Sequence, residues 1–374
     1  MRILSQTKDL SGYHGTVGTP TNMYDYGGNQ LFVGDVVGLI TCGIDGKKAY
    51  DYGIEFVCQE DTSIARWTGQ NRQYVMGIAN VYNNINFNDM ILIADSGSTK
   101  THWCLMAANG HCEEFFTDGI NPFQQTSDAI KNSVNNQLLP QIAHLMWAGS
   151  ISKIFFYGAG CTPEKCPVVE CALEAIFKSA KIEVYSDMVG AACGVLGEEK
   201  GVACILGTGG NSCLWNGKEI EKNVPALGFI LGDEGSGAVL GKRLVADLLK
   251  NQLSDELKEK FLTQYGITAA DIIENVYRKP FPNRYLASLS KFCSENMDNP
   301  LIAQLVYDHF DYFAKRILPQ YPALPVGFIG SIAYYYQDVL KKVLADNGFQ
   351  VGKILQGPME GLKEYHKKDI EPTM

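Results

Sequence analysis

Apolar positions along the chain change their spacing near Met90. Before this point, short apolar runs of strand type, such as 36–40 and 53–57, are separated by Gly, Asn, Asp and Tyr. Short runs bounded by turn residues are typical of β-structure. An Asn-rich stretch, 83–89, ends this segment before the apolar run that starts at Met90. We therefore expect a small β-rich domain over residues 1–89.

From Met90 onward the pattern predicts strands that alternate with helices. Strands are indicated by short apolar runs, and helices by apolar positions with a period near 3.6 residues. The order is β-β-β-α-β-α-β-α, which is typical of layered α/β structure. The predicted elements lie at 90–95, 101–108, 113–117, about 127–146, 153–157, about 164–178, 182–186 and from Met188.

A second series of the same kind starts at residue 201. Its predicted elements are strands at 201–206, 211–215 and 326–329, and a helix from Ser331. Between the second and third of these strands, about 237–320 carries Leu, Ile and Phe at helical spacing. We expect two α/β lobes, 90–199 and 200–374, with this helical segment inserted in the second lobe.

Composition narrows the class of partner. The chain of 374 residues is 46% hydrophobic, enough for more than one core, because single cores stop growing near about 250–300 residues. Its net charge of -9 lacks the basic excess that nucleic acids or anionic membranes require. No window approaches the ~18 apolar residues of a membrane span, and the N-terminus lacks the apolar core of a signal peptide. We expect a cytoplasmic protein that binds small molecules, with no nucleic-acid or membrane partner.

An acidic residue and a short polar loop lie between the first two predicted strands of the first lobe. Asp95 ends an apolar strand, and the loop leads directly into the next strand. Backbone N–H groups and hydroxyls of such a loop can surround a phosphate, while the acid holds hydrated Mg²⁺. A plain β-hairpin with Asp95 as a cap is the alternative. The predicted phosphate-binding residues of this first loop are Ser96, Gly97, Ser98, Thr99 and Lys100.

A second loop of the same character starts the second lobe. Thr208, Gly209 and Gly210 lie between two predicted strands, at a place equivalent to that of the first loop. One such loop could be an ordinary glycine turn, but two at equivalent places can bind a nucleotide from both sides. The Walker A sequence G-x-x-x-x-G-K-[ST] does not occur in the chain, so an ordinary P-loop is not expected.

Six motifs, taken together and in order, resemble a known family. Residues 90–374 are similar to the BadF/BadG/BcrA/BcrD-type ATPase family, and specifically to its N-acetylglucosamine-kinase-like branch. The resemblance implies two ribonuclease-H-like lobes of the actin-like ATPase type, with ATP and Mg²⁺ as cofactors. It also implies phosphoryl transfer to N-acetylglucosamine or a similar amino sugar. The motifs lie at 95–101, 117–122, 185–192, 207–212, 231–237 and 327–333.

Asp187 follows the predicted strand 182–186, and the resemblance places the general base of the reaction there. A carboxylate at this position can accept the proton of a sugar hydroxyl as the hydroxyl attacks the γ-phosphate. The alternative is an N-cap for the helix that begins at Met188, which suits an aspartate equally well. The two roles do not exclude each other.

Sugar and adenosine contacts are implied in the same way. Asn121 and Asp233 match sugar-binding positions, and Asn211 lies near the sugar side of the second loop. Gly330 and Ser331 correspond to the adenosine motif. The alternatives are a turn residue before proline for Asn121, a helix cap for Asp233 and a simple strand-to-helix turn at Gly330.

Other functions stay open at this point. A sister branch of the family drives electron transfer into a reductase, with an iron–sulfur cluster held by cysteines of two subunits. Cys161, Cys166 and Cys171 have a five-residue spacing that matches no short ligand motif, so we expect small core residues. All 11 cysteines are expected to be reduced thiols. A non-catalytic sugar or nucleotide sensor, a homodimer and a partner for residues 1–89 are further alternatives.

Two features depart from the family pattern. His102 replaces an acidic residue that often follows the first loop, and we expect it on the surface of a strand. Residues 1–89 have no counterpart in the kinase-like pattern.

Overall fold

The computed structural model describes residues 90–97, 99–107, 111–146 and 151–370, together with the backbone of six strands nearer the N-terminus. These strands are β1 to β6, at Ile3–Leu4, Pro20–Tyr24, Gln30–Phe32, Val36–Cys42, Lys48–Val57 and Gln73–Gly77. They form a four-stranded sheet in the order β1-β5-β4-β6 and a separate pair of β2 with β3. All of these pairings are antiparallel. Strands therefore lie where the short apolar runs predicted β-structure.

The first lobe is built on a five-stranded sheet. Its strands are β7 to β11, at Met90–Ser96, Lys100–Met106, Cys112–Asp118, Ile151–Gly158 and Lys181–Ser186. They are ordered β11-β10-β7-β8-β9, with β7, β10 and β11 parallel to one another. Strand β7 is central and is covered on both faces, which explains its uninterrupted apolar sequence.

Helices of the first lobe follow the predicted order. They are α1 to α4, at Ser127–Ser133, Leu139–Met146, Cys166–Glu174 and Asp187–Leu196. A short π-helical segment, Val134–Leu138, joins α1 to α2, so the predicted helix over 127–146 is one continuous helical stretch.

The second lobe repeats the sheet of the first. Its strands are β12 to β16, at Gly201–Leu206, Gly210–Trp215, Ile220–Val224, Val326–Ile329 and Val351–Leu355. The order β14-β13-β12-β15-β16 is the same as in the first lobe when strands are matched by position in the series. The strands equivalent to the parallel set of the first lobe are again parallel. The half-repeat predicted from the sequence is therefore present.

Helices fill the connection between β14 and β15. They are α5 to α11, at Gly228–Leu231, Gly237–Leu249, Asp255–Tyr265, Ala269–Tyr277, Pro282–Leu289, Lys291–Ser294 and Pro300–Arg316. The apolar faces of α6 to α11 share one core with β12 and β15, which matches the helical insertion predicted over about 237–320, whereas α5 buries none of its residues. The chain then ends with α12 to α14, at Ser331–Tyr335, Gln337–Asp346 and Met359–Tyr365.

The last helix of each lobe packs against the sheet of the other lobe. Helix α4 packs on β12 and β15 of the second lobe as well as on β10, and α14 packs on β7 and β8 of the first lobe. The two helices also contact each other, and their apolar side chains form a core between the sheets. A boundary at residue 200 therefore divides the sequence into two series but does not divide the packing.

Two edge strands were not predicted. Strand β14 reads Ile-Glu-Lys-Asn-Val and β16 reads Val-Gly-Lys-Ile-Leu. Both lie at sheet edges, where one side of the strand faces solvent and polar residues are tolerated. They therefore lack the continuous apolar run that marked the central strands.

Candidate active site

Asp95 and Asp187 both lie at the carboxyl ends of parallel strands of the first-lobe sheet. Asp95 is near the carboxyl end of β7, and Asp187 directly follows the carboxyl end of β11. Strand β10 runs between them in parallel register and ends at Gly158, which is paired with Ser96 on one side and Ser186 on the other. Two strand spacings of about 4.8 Å separate the outer strands. A Cβ at Gly158 would lie 2.6 Å from the Phe156 ring and 2.8 Å from Cys161 Sγ, so packing at the end of β10 requires glycine there.

Burial and mutual repulsion set the charge of these two acids. Burial, the largest cause, and repulsion from the neighbouring Asp187 together raise the pKa of Asp95 to about 7, whereas Lys100 acts in the opposite direction. Burial also raises the pKa of Asp187, while backbone N–H groups of Asp187 and Met188 lower it. Asp95 is therefore only partly ionised near neutral pH in the absence of a cation, and the pKa of Asp187 is shifted in the same direction.

Asp187 is the first residue of helix α4 and is not its N-cap. The N-cap is Ser186, whose hydroxyl accepts a hydrogen bond from the Val189 backbone N–H. The alternative role of Asp187 as the cap of a helix that begins at Met188 is therefore wrong. The carboxylate instead lies at the positive end of the helix, where a negative charge is favoured.

The first loop is anchored at both ends. The Ser96 hydroxyl is buried, donates to the Ile120 carbonyl at 3.0 Å and lies 2.7 Å from the Thr101 hydroxyl. Because it is held inside the protein, a contact of Ser96 with phosphate would have to come from its backbone. Gly97 N–H donates to the Lys100 carbonyl, while Gly97, Thr99 and Lys100 are exposed. Ser98 lies outside the described residues.

The second loop rests on the N-terminus of helix α6. N–H groups of Gly237 and Ala238 donate to the carbonyls of Gly207 and Thr208, at 2.8 and 3.1 Å. Thr208 is exposed, whereas Gly210 is buried. These contacts fix the loop at the edge of the second-lobe sheet.

Asp233 lies against this second loop. Its carboxylate accepts a hydrogen bond from the Gly210 N–H, and burial raises its pKa. Its backbone is left-handed, with φ of 55°, a conformation that is uncommon outside glycine. The cap of helix α6 is Ser236, whose hydroxyl accepts from the Val239 N–H, so the helix-cap alternative for Asp233 is also wrong.

Close backbone packing requires a glycine at position 330. Its φ is 120°, and a Cβ atom at this position would lie 2.3 Å from the carbonyl oxygen of Leu206. The strand-to-helix turn at Gly330 and Ser331 thus packs directly against the start of the second loop. The glycine is explained by this contact, and it gives no separate support for a nucleotide.

Asn121 lies in a turn before Pro122, as the alternative interpretation of this residue predicted. Its side-chain oxygen accepts from the Phe123 N–H at 3.0 Å, and its own N–H donates to Gln125 Oε1 at 2.8 Å. Gly160 lies against it, since a Cβ there would approach the Asn121 side-chain oxygen to 2.6 Å. Asn121 is therefore held beside the cleft that Gly160 lines.

A cleft of about 610 Å³ lies beside these residues. Asp187 and Asn211 are the predicted site residues in its lining, one from each lobe. Gly160 and Asn223 also line it, although neither residue belongs to a sequence motif. The structure thus places Asp187 and Asn211 in the lining of one cleft, with Asp95 close enough to Asp187 to repel it and Asn121 beside Gly160. Asp233 lies against the second loop, and neither Asp95 nor the described residues of the two loops are part of the cleft lining.

His102 and the three cysteines were also placed by the structure. His102 lies on β8, with Nε2 2.8 Å from Glu114 and its ring stacked on Phe116. Cys161 is buried, but Cys171 is exposed, so the expectation of core residues fails for Cys171. Among the described residues, no three His, Cys, Asp or Glu side chains lie together as a protein-only metal site would need.

Several known proteins are similar to this chain in sequence or fold. A protein of Porphyromonas gingivalis, provisionally designated an N-acetylglucosamine kinase, is 49% identical; the match covers 75% of this chain and 99% of that chain, with a TM-score of 0.71. An N-acetylmuramic acid/N-acetylglucosamine kinase of Clostridium acetobutylicum is 25% identical over 238 residues, 60% of this chain and 73% of that protein. A structure from Chromobacterium violaceum, 18% identical, shares the fold over 74% of this chain and 99% of its own, with a TM-score of 0.56. No protein-family model matches the chain.

The duplicated sheets have the actin-like ATPase fold, and the similarity to these kinases identifies a phosphotransferase. The chain belongs to the N-acetylglucosamine-kinase-like family of this class. The resemblance and the fold class predicted from the sequence are therefore confirmed. Within the described part of the chain, none of the helices combines the length and the apolar character that crossing a membrane requires.

Proposed function

We propose that residues 90–374 transfer the γ-phosphoryl group of ATP to a hydroxyl of N-acetylglucosamine or a related amino sugar. The observation that carries the proposal is that Asp95 lies close enough to Asp187 for the two acids to repel each other, and that Asp187 lines a cleft of about 610 Å³. A transferring phosphoryl group needs cations and N–H donors around it and a base near the attacking hydroxyl. The site supplies groups for each of these tasks.

Asp187 is the base in this proposal. Its carboxyl lines the cleft, and burial raises its pKa above the ordinary range. A base with a pKa closer to the working pH takes a hydroxyl proton more effectively in the transition state. The start of helix α4 keeps the carboxylate in place, and Ser186 takes over the capping.

Asp95 is the residue that would hold Mg²⁺, through water or directly. Mg²⁺ usually keeps several waters and binds one or two carboxylates together with substrate phosphates, so a protein-only cage is not needed. The raised pKa of Asp95 fits such a site, because a cation would relieve the repulsion from Asp187. When bound, the cation would neutralise charge on the phosphates.

The two loops are proposed to bind the nucleotide phosphates. Gly97, Thr99 and Lys100 are exposed at the end of β7, and Thr208 is exposed at the equivalent place in the second lobe. The helix N-terminus behind the second loop donates to the carbonyls of Gly207 and Thr208, which leaves the opposite side of that loop for a ligand. Ser98 and Gly209 complete the loops in this proposal, with Gly330 and Ser331 on the adenosine side.

Asn121 and Asn211 are proposed to bind sugar hydroxyls, because an amide both donates and accepts hydrogen bonds. Asp233 is proposed as a further sugar contact; its link to the Gly210 N–H would make it sensitive to the second loop. The sugar then lies between Asp187 on the first lobe and Asn211 on the second.

An ATP-consumption screen tests the function. The sugars are N-acetylglucosamine, N-acetylmannosamine, glucosamine, glucose and a muramic-type sugar, each assayed with Mg²⁺ and with EDTA. We expect sugar-dependent release of ADP that EDTA abolishes and that is fastest with an N-acetylated sugar. ATP hydrolysis that no sugar accelerates would reject the kinase in favour of an ATPase of another kind.

A further inference from the structure

Asn223 lines the same cleft as Asp187 and Asn211 but has no role in the proposal above. It lies on β14, the edge strand of the second-lobe sheet, one residue before the end of that strand. The residue is exposed, so burial does not explain its presence. Its side chain is nevertheless fixed by several hydrogen bonds.

The backbone of Ser212 determines how both asparagine amides are oriented. Its N–H can only donate, and it lies 2.9 Å from Asn211 Oδ1. Its carbonyl can only accept, and it lies 2.7 Å from Asn223 Nδ2. With the amides assigned in this way, Asn223 Nδ2 also donates to Asn211 Oδ1 at 3.0 Å. The three contacts agree with one arrangement and exclude a flip of either amide.

A buried tyrosine, Tyr321, supports the two strands that carry Asn211 and Asn223. The Tyr321 hydroxyl accepts from the Val224 N–H at 3.0 Å and lies 2.8 Å from the Ser212 hydroxyl. Tyr321 is 7% exposed and therefore anchors both strands of the hairpin to the core. Side chains held by such support lose little freedom when a ligand binds.

The remaining polar atoms of the pair are a donor and an acceptor. Asn211 has used its oxygen and presents its amide nitrogen, whereas Asn223 has used both hydrogens of its nitrogen and presents its oxygen. Neighbouring ring carbons of a sugar carry substituents that can accept and donate in the same order. An N-acetylated pyranose offers two hydroxyls and an acetamido N–H in such positions.

We propose that Asn223 is a substrate-binding and specificity residue: its Oδ1 accepts a hydrogen bond from a sugar substituent next to the one that accepts from Asn211 Nδ2. The inference rests on the proposed sugar-kinase function and adds a second polar contact on the second-lobe wall of the cleft. Because an acceptor oxygen distinguishes a substituent that donates from a hydrogen atom, Asn223 selects for one particular hydroxyl or for the acetamido group.

The test compares Asn223→Ala with the wild-type chain on four sugars. These are N-acetylglucosamine, its 3-deoxy and 4-deoxy analogues, and 2-deoxyglucose, which has no hydrogen-bond donor at C2. Dividing kcat/KM for N-acetylglucosamine by kcat/KM for each analogue gives the penalty for losing each group. In Asn223→Ala, we expect the penalty at one position to fall about tenfold, the size of one lost hydrogen bond, and the others to stay.

Asn216→Ala is the matched control. Asn216 lies in the turn of the same hairpin, where its oxygen accepts from the N–H groups of Lys218 and Glu219 at 2.9 Å. It should leave all three penalties as in the wild-type chain. Thermal unfolding of both variants checks that the hairpin is intact.

Two results would overturn the inference, and they are distinguishable. If Asn223→Ala lowers kcat/KM for all four sugars by one common factor, or leaves it unchanged, Asn223 only supports Asn211 and does not select. If the wild-type chain turns over none of the sugars, the proposed function itself fails before any variant is compared.

Discussion

The hydroxyl of Tyr157 lies 2.8 Å from Nε2 of His366, which is 209 residues further along the chain. Asp369 accepts from Nδ1 of the same imidazole at 2.8 Å. A carboxylate can only accept, so Nδ1 carries the proton and Nε2 accepts from the tyrosine. Burial lowers the pKa of His366, in keeping with a neutral ring. The contact fixes the C-terminal turn to the first-lobe sheet.

His366→Phe should destabilise the protein by about 1–3 kcal/mol, because it leaves the buried Tyr157 hydroxyl without a strong acceptor. The ring would still stack on Phe155, whose centroid lies 3.9 Å from that of His366. The thiol of Cys193, the other group bonded to Tyr157, is only a weak acceptor. Urea unfolding measures the change. Adding Tyr157→Phe should then cost less than the sum of the single changes, and strict additivity would argue against the hydrogen bond.

Asp187→Asn should lower sugar-dependent ATP turnover by about 10²–10⁴-fold, because it removes the proton acceptor but little volume. Nucleotide binding, measured by calorimetry, should stay nearly intact. Asp255→Asn is the matched control, since Asp255 is also the first residue of a helix with a serine N-cap, Ser254. Both changes remove a charge from a helix N-terminus, yet only the first should affect turnover. Near-normal turnover in Asp187→Asn would reject Asp187 as the base.

Asp95→Asn should stabilise the ligand-free protein above pH 7 and have little effect near pH 4. The folded protein keeps the Asp95 proton up to about pH 7, whereas an unfolded chain releases it near 3.8. The free energy of unfolding therefore falls as pH rises between these values. At ~1.4 kcal/mol per pKa unit, the loss in the wild-type chain is at most ~4 kcal/mol. Unfolding curves of the two proteins at pH 4 to 8 check this, and parallel pH profiles would contradict it.

The same variant tests the metal assignment. Asp95→Asn should also lose Mg²⁺-dependent ATP turnover, and added sugar should not restore it. An unchanged dependence of the rate on Mg²⁺ concentration would show that Asp95 does not hold the cation.

Gly330→Ala should destabilise the protein and displace the second loop, because steric overlap adds to the strain of a positive φ. A Cβ at this position meets the Leu206 carbonyl at 2.3 Å, so Leu206 or the turn has to move. Gly348→Ala separates the two effects, because Gly348 also has a positive φ, 77°, but no atom within 4 Å of its Cβ position. The control should cost only ~1–2 kcal/mol, the strain of a left-handed residue. Comparable melting temperatures for the two variants would contradict the packing argument.

A chain of residues 90–374 should fold and keep its sugar-kinase rate within a few-fold, about 1 kcal/mol in activation free energy. All six motifs lie after Met90, which is the first residue of β7. The Porphyromonas gingivalis protein is matched over 99% of its length by 75% of this chain, so a quarter of the chain has no counterpart there. A folded truncated protein with a hundredfold lower rate or a different sugar preference would place residues 1–89 in the active site.

Central strands and loops were predictable because burial on both faces leaves a continuous apolar run, as in β7. Edge strands such as β14 carry mixed residues, and Asn223 was missed together with the strand that holds it. The cap considered for helix α4 was Asp187, one residue after the true cap, Ser186. Serine is itself a preferred N-cap residue, because its hydroxyl can accept from the N–H three positions later. The packing partner of helix α14 could not be predicted, since an apolar face does not specify which sheet covers it.

The exchange of α4 and α14 between the lobes has a consequence for folding. The final helix of each half packs on the sheet of the other half. Where these two helices cross, a Cβ on Gly361 would lie 1.9 Å from the Gly194 carbonyl oxygen. A fragment that ends at residue 199 would expose the apolar face of α4 and leave β7 and β8 uncovered where α14 packs. The halves resemble each other as repeats, yet each completes its core only when the other is folded beside it.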